Sequence, residues 1–174
     1  MTKRLFAYYD GERTKRDAAQ WQAAKAKADG NDLAAATTML DQLIATNPER
    51  AERAEMAKLY LAFAKQLETA QKWSEAAAAY SKAHGLDPKQ PTLAALHFSL
   101  GKALEATGKD GGPDFRTAIA LDPEYAPAKA AARAADRDDV AGANKPQWML
   151  YAAIGAGGLA MLLFGAAMMM RRRA

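Results

Sequence analysis

The sequence predicts an all-α fold of packed helical hairpins followed by a single membrane-crossing helix, and three observations carry that expectation. Alanine fills 44 of the 174 positions against 7 prolines and 12 glycines, a balance that favours helix and disfavours a sandwich or barrel. Prolines recur behind a polar residue at Asn47-Pro48, Asp87-Pro88 and Asp122-Pro123, each closing an alanine-rich stretch, at intervals of 40 and 35 residues. Residues 148–170 carry no charge at all. A chain of this length accommodates one domain of ordinary size. The absence of cysteine excludes disulfides, thiolate metal sites and cysteine nucleophiles together.

At the start, Lys3 and Arg4 precede Leu5, Phe6, Ala7, Tyr8 and Tyr9, and Asp10, Gly11 and Glu12 end that apolar run after five residues. That is too short for a secretory signal. Residues 1–16, with five basic groups against two acidic ones, read as a basic and aromatic arm. It folds over a groove, touches a membrane surface or stays disordered, and disorder is the expectation.

Residues 17–135 form the repeated part. The first hairpin holds Trp21 and Ala24, a turn at Asp29-Gly30-Asn31-Asp32, then Ala36, Leu40 and Leu43 before Pro48. The second holds Tyr60, Phe63, Ala64 and Leu67, a turn at Thr69-Ala70-Gln71, then Trp73, Ala76, Tyr80 and Ala83 before Pro88. The third holds Leu100-Gly101, Leu104, a Thr107-Gly108 turn, then Phe115 and Ala118 before Pro123. Its second helix is expected to start late, with Pro113 in the first turn, because Gly111-Gly112-Pro113 stands where that helix would otherwise begin. Tyr125 to Ala135 suits a capping helix at the end of a stack, and 136–147 a linker.

This pattern resembles the tetratricopeptide repeat, most closely in the middle hairpin. The third hairpin departs from it, with 15 positions from Gly108 to Pro123 where the family has 17. The resemblance implies a solenoid of about three repeats plus a cap, seven helices in a right-handed curved stack with a concave groove. By the family's geometry, Trp21, Leu61 and Phe98 would face that groove, each followed four residues later by Lys25, Lys65 and Lys102. An apolar stripe beside a lysine ladder suits a protein segment with apolar anchors and acidic neighbours. The competing reading packs Trp21 and Phe98 inside and leaves the lysines solvated, offset by Glu68 and Glu105. The family's clamp for a terminal carboxylate is not present, since its positions hold Trp21, Lys25, Ala62, Ala95 and Ser99.

The 23 uncharged residues of 148–170 span roughly 34 Å as a helix at about 1.5 Å per residue, enough to cross a hydrocarbon core. Trp148 and Tyr151 mark one membrane interface and Arg171, Arg172 and Arg173 the other. The expectation is a single-pass, tail-anchored membrane protein whose last residues, 171–174, form a short basic tail. Without an export signal the repeat domain is expected in the cytoplasm. The arginine cluster and the acidic flank of Asp136, Asp138 and Asp139 favour the opposite, periplasmic orientation. Ala152, Ala156 and Ala160 at four-residue spacing form a small-residue stripe suited to self-association, although a solitary anchor accounts for them equally well.

The net charge of +4 sits at the two ends, and 17–135 carry 14 basic against 15 acidic residues, so no basic face for nucleic acid is expected. His84 and His97 lie in no metal-ligand spacing, and neither a Gly-x-Ser-x-Gly elbow nor a Gly-Lys-Ser/Thr phosphate loop occurs. No catalytic, metal or cofactor site is expected. What remains is a membrane-anchored adaptor that holds protein partners in its groove, or alternatively an envelope-facing assembly factor or accessory subunit of a membrane complex.

Overall fold

A six-to-one hydrogen bond closes the first helix of every hairpin, and a residue with positive φ makes each bond reachable. The computed structural model describes residues 2–143, and the side chains of 8–136. Among the described residues there are seven helices and no strand: α1 (Thr2–Asp29), α2 (Leu33–Thr46), α3 (Arg53–Thr69), α4 (Trp73–Leu86), α5 (Gln90–Ala106), α6 (Gly112–Leu121) and α7 (Ala126–Ala143). The chain divides after Arg133, and the packing described below lies within the first unit.

The turns make the repetition explicit. The amides of Asp32, Lys72 and Lys109 donate to the carbonyls of Lys27, Leu67 and Leu104, five residues back, at 2.9, 2.9 and 3.0 Å. One residue earlier stand Asn31, Gln71 and Gly108 with φ of 62°, 57° and 75°. This is the arrangement in which a left-handed residue lets the last carbonyls of a helix find donors. The second helices end alike as well. Asn47, Asp87 and Asp122 are extended, with φ of −151°, −142° and −139°, because the proline behind each excludes the helical region.

Equivalent positions carry equivalent packing. Ala24, Ala64 and Gly101 stand seven residues before the left-handed residue and are buried. Ala36, Ala76 and Gly111 stand twelve residues before the proline and are buried too. Small side chains at both places let the two helices of a hairpin approach closely. Eight residues before the proline come Leu40, Tyr80 and Phe115, the large groups that fill each interior. As the late start predicts, α6 begins at Gly112 with proline in its first turn.

Three apolar clusters join the hairpins. The first gathers Trp21, Ala24, Leu40, Leu43, Met56, Tyr60 and Ala83 from α1 to α4. The second packs Ala64, Leu67, Ala76, Ala79 and Tyr80 with Ala95. The third joins Ala94 and Phe98 to Phe115, Ala118 and the α7 residues Ala128, Ala131 and Ala132. Polar staples cross the seams. Arg50 and Asp17, both buried, approach to 3.6 Å and tie α1 to the α2–α3 loop. Arg53 donates to the Gly85 carbonyl at 2.7 Å and to that of Leu86 at 3.4 Å, placing a cation where the last carbonyls of α4 carry partial negative charge.

One expectation is corrected here. Residues 2–16, read as a disordered arm, continue α1 without a break. Once the helix is nucleated by the packed residues after Asp17, each added residue costs little. Arg13–Asp10 at 3.4 Å and Lys15–Glu12 at 3.0 Å pair along the same helix. Among the described residues no helix is long and apolar enough to cross a membrane. The expected membrane helix, with Trp148, Tyr151, Arg171, Arg172 and Arg173, lies outside the described residues.

Candidate functional site

The first helices of the hairpins, α1, α3 and α5, line two open clefts, with α3 as the ridge between them. The α1–α3 cleft, of about 270 Å³, is bounded by Trp21, Lys25 and Asp29 on one side and Glu55, Lys58 and Leu59 on the other. The α3–α5 cleft, of about 300 Å³, takes Leu61, Lys65 and Glu68 from α3, Tyr80 from α4, Pro91, Thr92 and Ala95 from α5, and Tyr125 from the segment before α7.

The six residues expected in a groove are not brought together. Leu61 and Lys65 do line one cleft, and Lys65 is exposed. Trp21 reaches the wall of the other but is only 5% exposed and belongs to the first core cluster. Phe98 is a core residue outright, 8% exposed, with Trp73, Phe115 and Tyr125 ring centroids 5.9, 5.9 and 5.6 Å away. The lysines separate likewise. Lys25 lies over the Trp21 ring at 5.7 Å, while Lys102 pairs with Glu105 at 2.7 Å and lies over the Phe115 ring at 5.8 Å. The three positions are equivalent in sequence, and side-chain size divides them. An aromatic side chain there is long enough to fold into the interior and gain its burial energy, while the shorter Leu61 stays half-buried at the surface.

Glu68, Tyr80, Thr92 and Tyr125 are the polar residues of this cleft that sequence reasoning did not assign to a site. Glu68 accepts a hydrogen bond from the buried Ser99 hydroxyl at 3.1 Å, which links α3 to α5. Burial raises its carboxyl above the ordinary carboxylate range, opposed by hydrogen bonding to Tyr80 and Ser99 and by the charge of Lys65. The Tyr80 and Tyr125 phenols are raised chiefly by burial and next by the charge of Glu68. A signal for Glu68 was present, because it stands seven residues after Leu61 on the same side of one helix. None pointed to Tyr125, which arrives from beyond the third hairpin.

A second polar cluster joins α2, α3 and α4. The Tyr60 hydroxyl donates to Asp41 Oδ1 at 2.6 Å, and Lys82 Nζ donates to both Asp41 oxygens at 2.7 and 2.8 Å. Burial, reinforced by Asp41, raises the Tyr60 phenol. The three groups engage one another, so the cluster acts as a cross-hairpin staple. His97 Nδ1 and Asp114 Oδ1, 2.8 Å apart, tie α5 to α6. Among the described residues no group of three or more histidine, aspartate or glutamate side chains is placed to hold a metal ion. No family model, curated protein or solved structure matches this chain.

Proposed function

We propose that this chain is a membrane-attached adaptor of the tetratricopeptide type, which presents the face of α1, α3 and α5 to protein partners and assigns no reaction to itself. The α3–α5 cleft supports this reading most. It combines an apolar wall, a carboxylate, two phenols and an exposed lysine, drawn from three helices and the segment before α7, on an open face. Mixed apolar and polar lining of that kind suits recognition of a protein segment. The three equivalent turns and proline ends support the repeat assignment, and the uncharged run of 148–170 supports the membrane attachment. On this reading the repeats lie on the cytoplasmic side.

The chain has no native cysteine, so one engineered thiol reports on one place. Lys65→Cys, carrying a photo-crosslinker in intact membranes, should give adducts of discrete mass, and Ser81→Cys on exposed α4 should give none. The Lys65→Cys thiol should react with a membrane-impermeant maleimide only after the inner membrane is opened. Deletion of 148–170 should release the protein from the membrane fraction. Equal labelling at both positions, or membrane retention after the deletion, sinks the proposal. Labelling once only an outer layer is opened would transfer it to an envelope-facing assembly factor.

A further inference from the structure

The α3–α5 cleft has a polarity that the lysine at its rim conceals. Glu68 is half-buried on its floor, and what answers its charge there is two hydroxyl groups, those of Ser99 and Tyr80, with Lys65 acting from the exposed edge. A partly dehydrated carboxylate is stabilised by any cation that reaches it. Tyr125, half-buried at the cleft, offers an electron-rich ring that attracts the same charge, while Tyr80, buried in the interior, contributes its hydroxyl. The remaining wall, Leu61, Pro91 and Ala95, is apolar and suits an alkyl stem. A space of about 300 Å³ admits one long side chain, not a helix.

Resting on the reading that this face docks a protein, we propose that the cleft receives a lysine or arginine side chain of the partner. Its stem lies against Leu61, Pro91 and Ala95, and its charged head meets Glu68 beside the Tyr125 ring. Lys65 then faces an acidic neighbour of that anchor instead of the anchor itself. This reverses the polarity that the lysines alone suggest.

The test uses the full chain in lipid nanodiscs, with methyl groups of leucine, alanine and threonine observed by NMR. The probes are n-butylguanidinium, pentanoate and choline. Butylguanidinium should give saturable shifts at Leu61 and Thr92, with a Kd on the order of 10 mM. Glu68→Gln should weaken that binding by about tenfold, as loss of a charge-assisted contact does. Because Glu68 also bridges helices, Lys65→Glu provides a second variant at an exposed position, and it should tighten the binding.

The proposal falls if butylguanidinium gives no saturable shift in either the native chain or Lys65→Glu. It also falls if Glu68→Gln keeps its fold and binds unchanged, or if pentanoate binds in place of the cation. Tighter binding of choline would assign the cleft to a lipid headgroup and remove the partner protein from it. Should the cation fail while the crosslinker at residue 65 still captures a partner, docking stands and only the basic anchor is lost. Cation binding without any captured partner overturns the docking reading itself.

Discussion

Hairpins α3–α4 and α5–α6 reach the same crossing by different means. In α3–α4 the small buried pair is Ala64 and Ala76, members of one cluster, and Ala76 stands five positions after the left-handed Gln71. In α5–α6 Gly111 stands only three positions after Gly108, and the small pair becomes Gly101 and Gly111. The shorter connection draws the chain in until no side chain fits. A Cβ at Gly111 would lie 2.4 Å from the Gly101 carbonyl oxygen, and one at Gly101 would lie 2.4 Å from Cε1 of Phe115. Aromatic packing then fills the interior, with Phe98 at the centre of Trp73, Phe115 and Tyr125. A connection two residues shorter is therefore accommodated where glycine accepts the lost distance.

The largest effect that tests this contrast is Phe115→Ala. It removes a fully buried ring from the third cluster and should cost about 3–5 kcal/mol in denaturant unfolding. A loss below about 1 kcal/mol would mean that the aromatic cluster does not hold α5–α6 together. Next comes Gly111→Ala, expected to cost about 2 kcal/mol or more because the new methyl meets backbone that cannot rotate away. Ala76→Gly at the equivalent place should cost about 1 kcal/mol, the ordinary entropic penalty of glycine in a helix. Inserting two alanines between Lys109 and Asp110 should restore the longer spacing and make Gly111→Ala tolerable. If the insertion leaves that substitution as damaging as before, connection length is not what demands glycine.

Tyr60→Phe probes the side of the comparison that relies on polar staples. It deletes the hydroxyl that donates to Asp41 but leaves the Lys82–Asp41 pair in place, half-exposed and screened by solvent. The expected loss is about 1–2 kcal/mol, that of a hydrogen bond to a charged acceptor. The staple joins α2, α3 and α4, so its loss should loosen the seam between the first two hairpins and spare the third. Hydrogen exchange resolved by helix would show faster opening of α2 and α3, with α5 and α6 unchanged.

The hairpins were legible because their punctuation is local. Proline excludes helix at the residue before it, and small residues recur at fixed distances from each turn, so both signals survive in a bare sequence. The extension of α1 was not legible. Residues 8–16 are exposed, and a helix that packs against nothing leaves no apolar periodicity to read. The site was legible in part. Leu61 and Lys65 line the α3–α5 cleft, whereas Trp21 and Phe98, at the equivalent position of their hairpins, turn inward, because position along a helix fixes the direction of the Cα–Cβ bond and not where a large ring finds burial. Tyr125 enters the cleft from the segment after Pro123, a contact between distant parts of the chain that no spacing rule announces.

The smallest effect concerns the turns, where the two hairpins differ by one residue type at one conformation. Gly108 adopts φ of 75° without penalty, while Gln71 holds φ of 57° against the clash of its Cβ with the backbone. Gln71→Gly should therefore stabilise the protein by about 0.5–1 kcal/mol, the strain removed being partly offset by the greater freedom of glycine in the unfolded chain. Gly108→Gln should cost a similar amount, and Asn31→Gly should change little, since asparagine accepts this region more readily than glutamine. Paired thermal melts decide the matter. If Gln71→Gly and Gly108→Gln shift the midpoint in opposite directions by comparable amounts, the turns are interchangeable and the unequal connection behind them is what distinguishes the hairpins. If Gln71→Gly destabilises, the glutamine side chain holds its turn through contacts of its own, and the α3–α4 turn is not equivalent to the others.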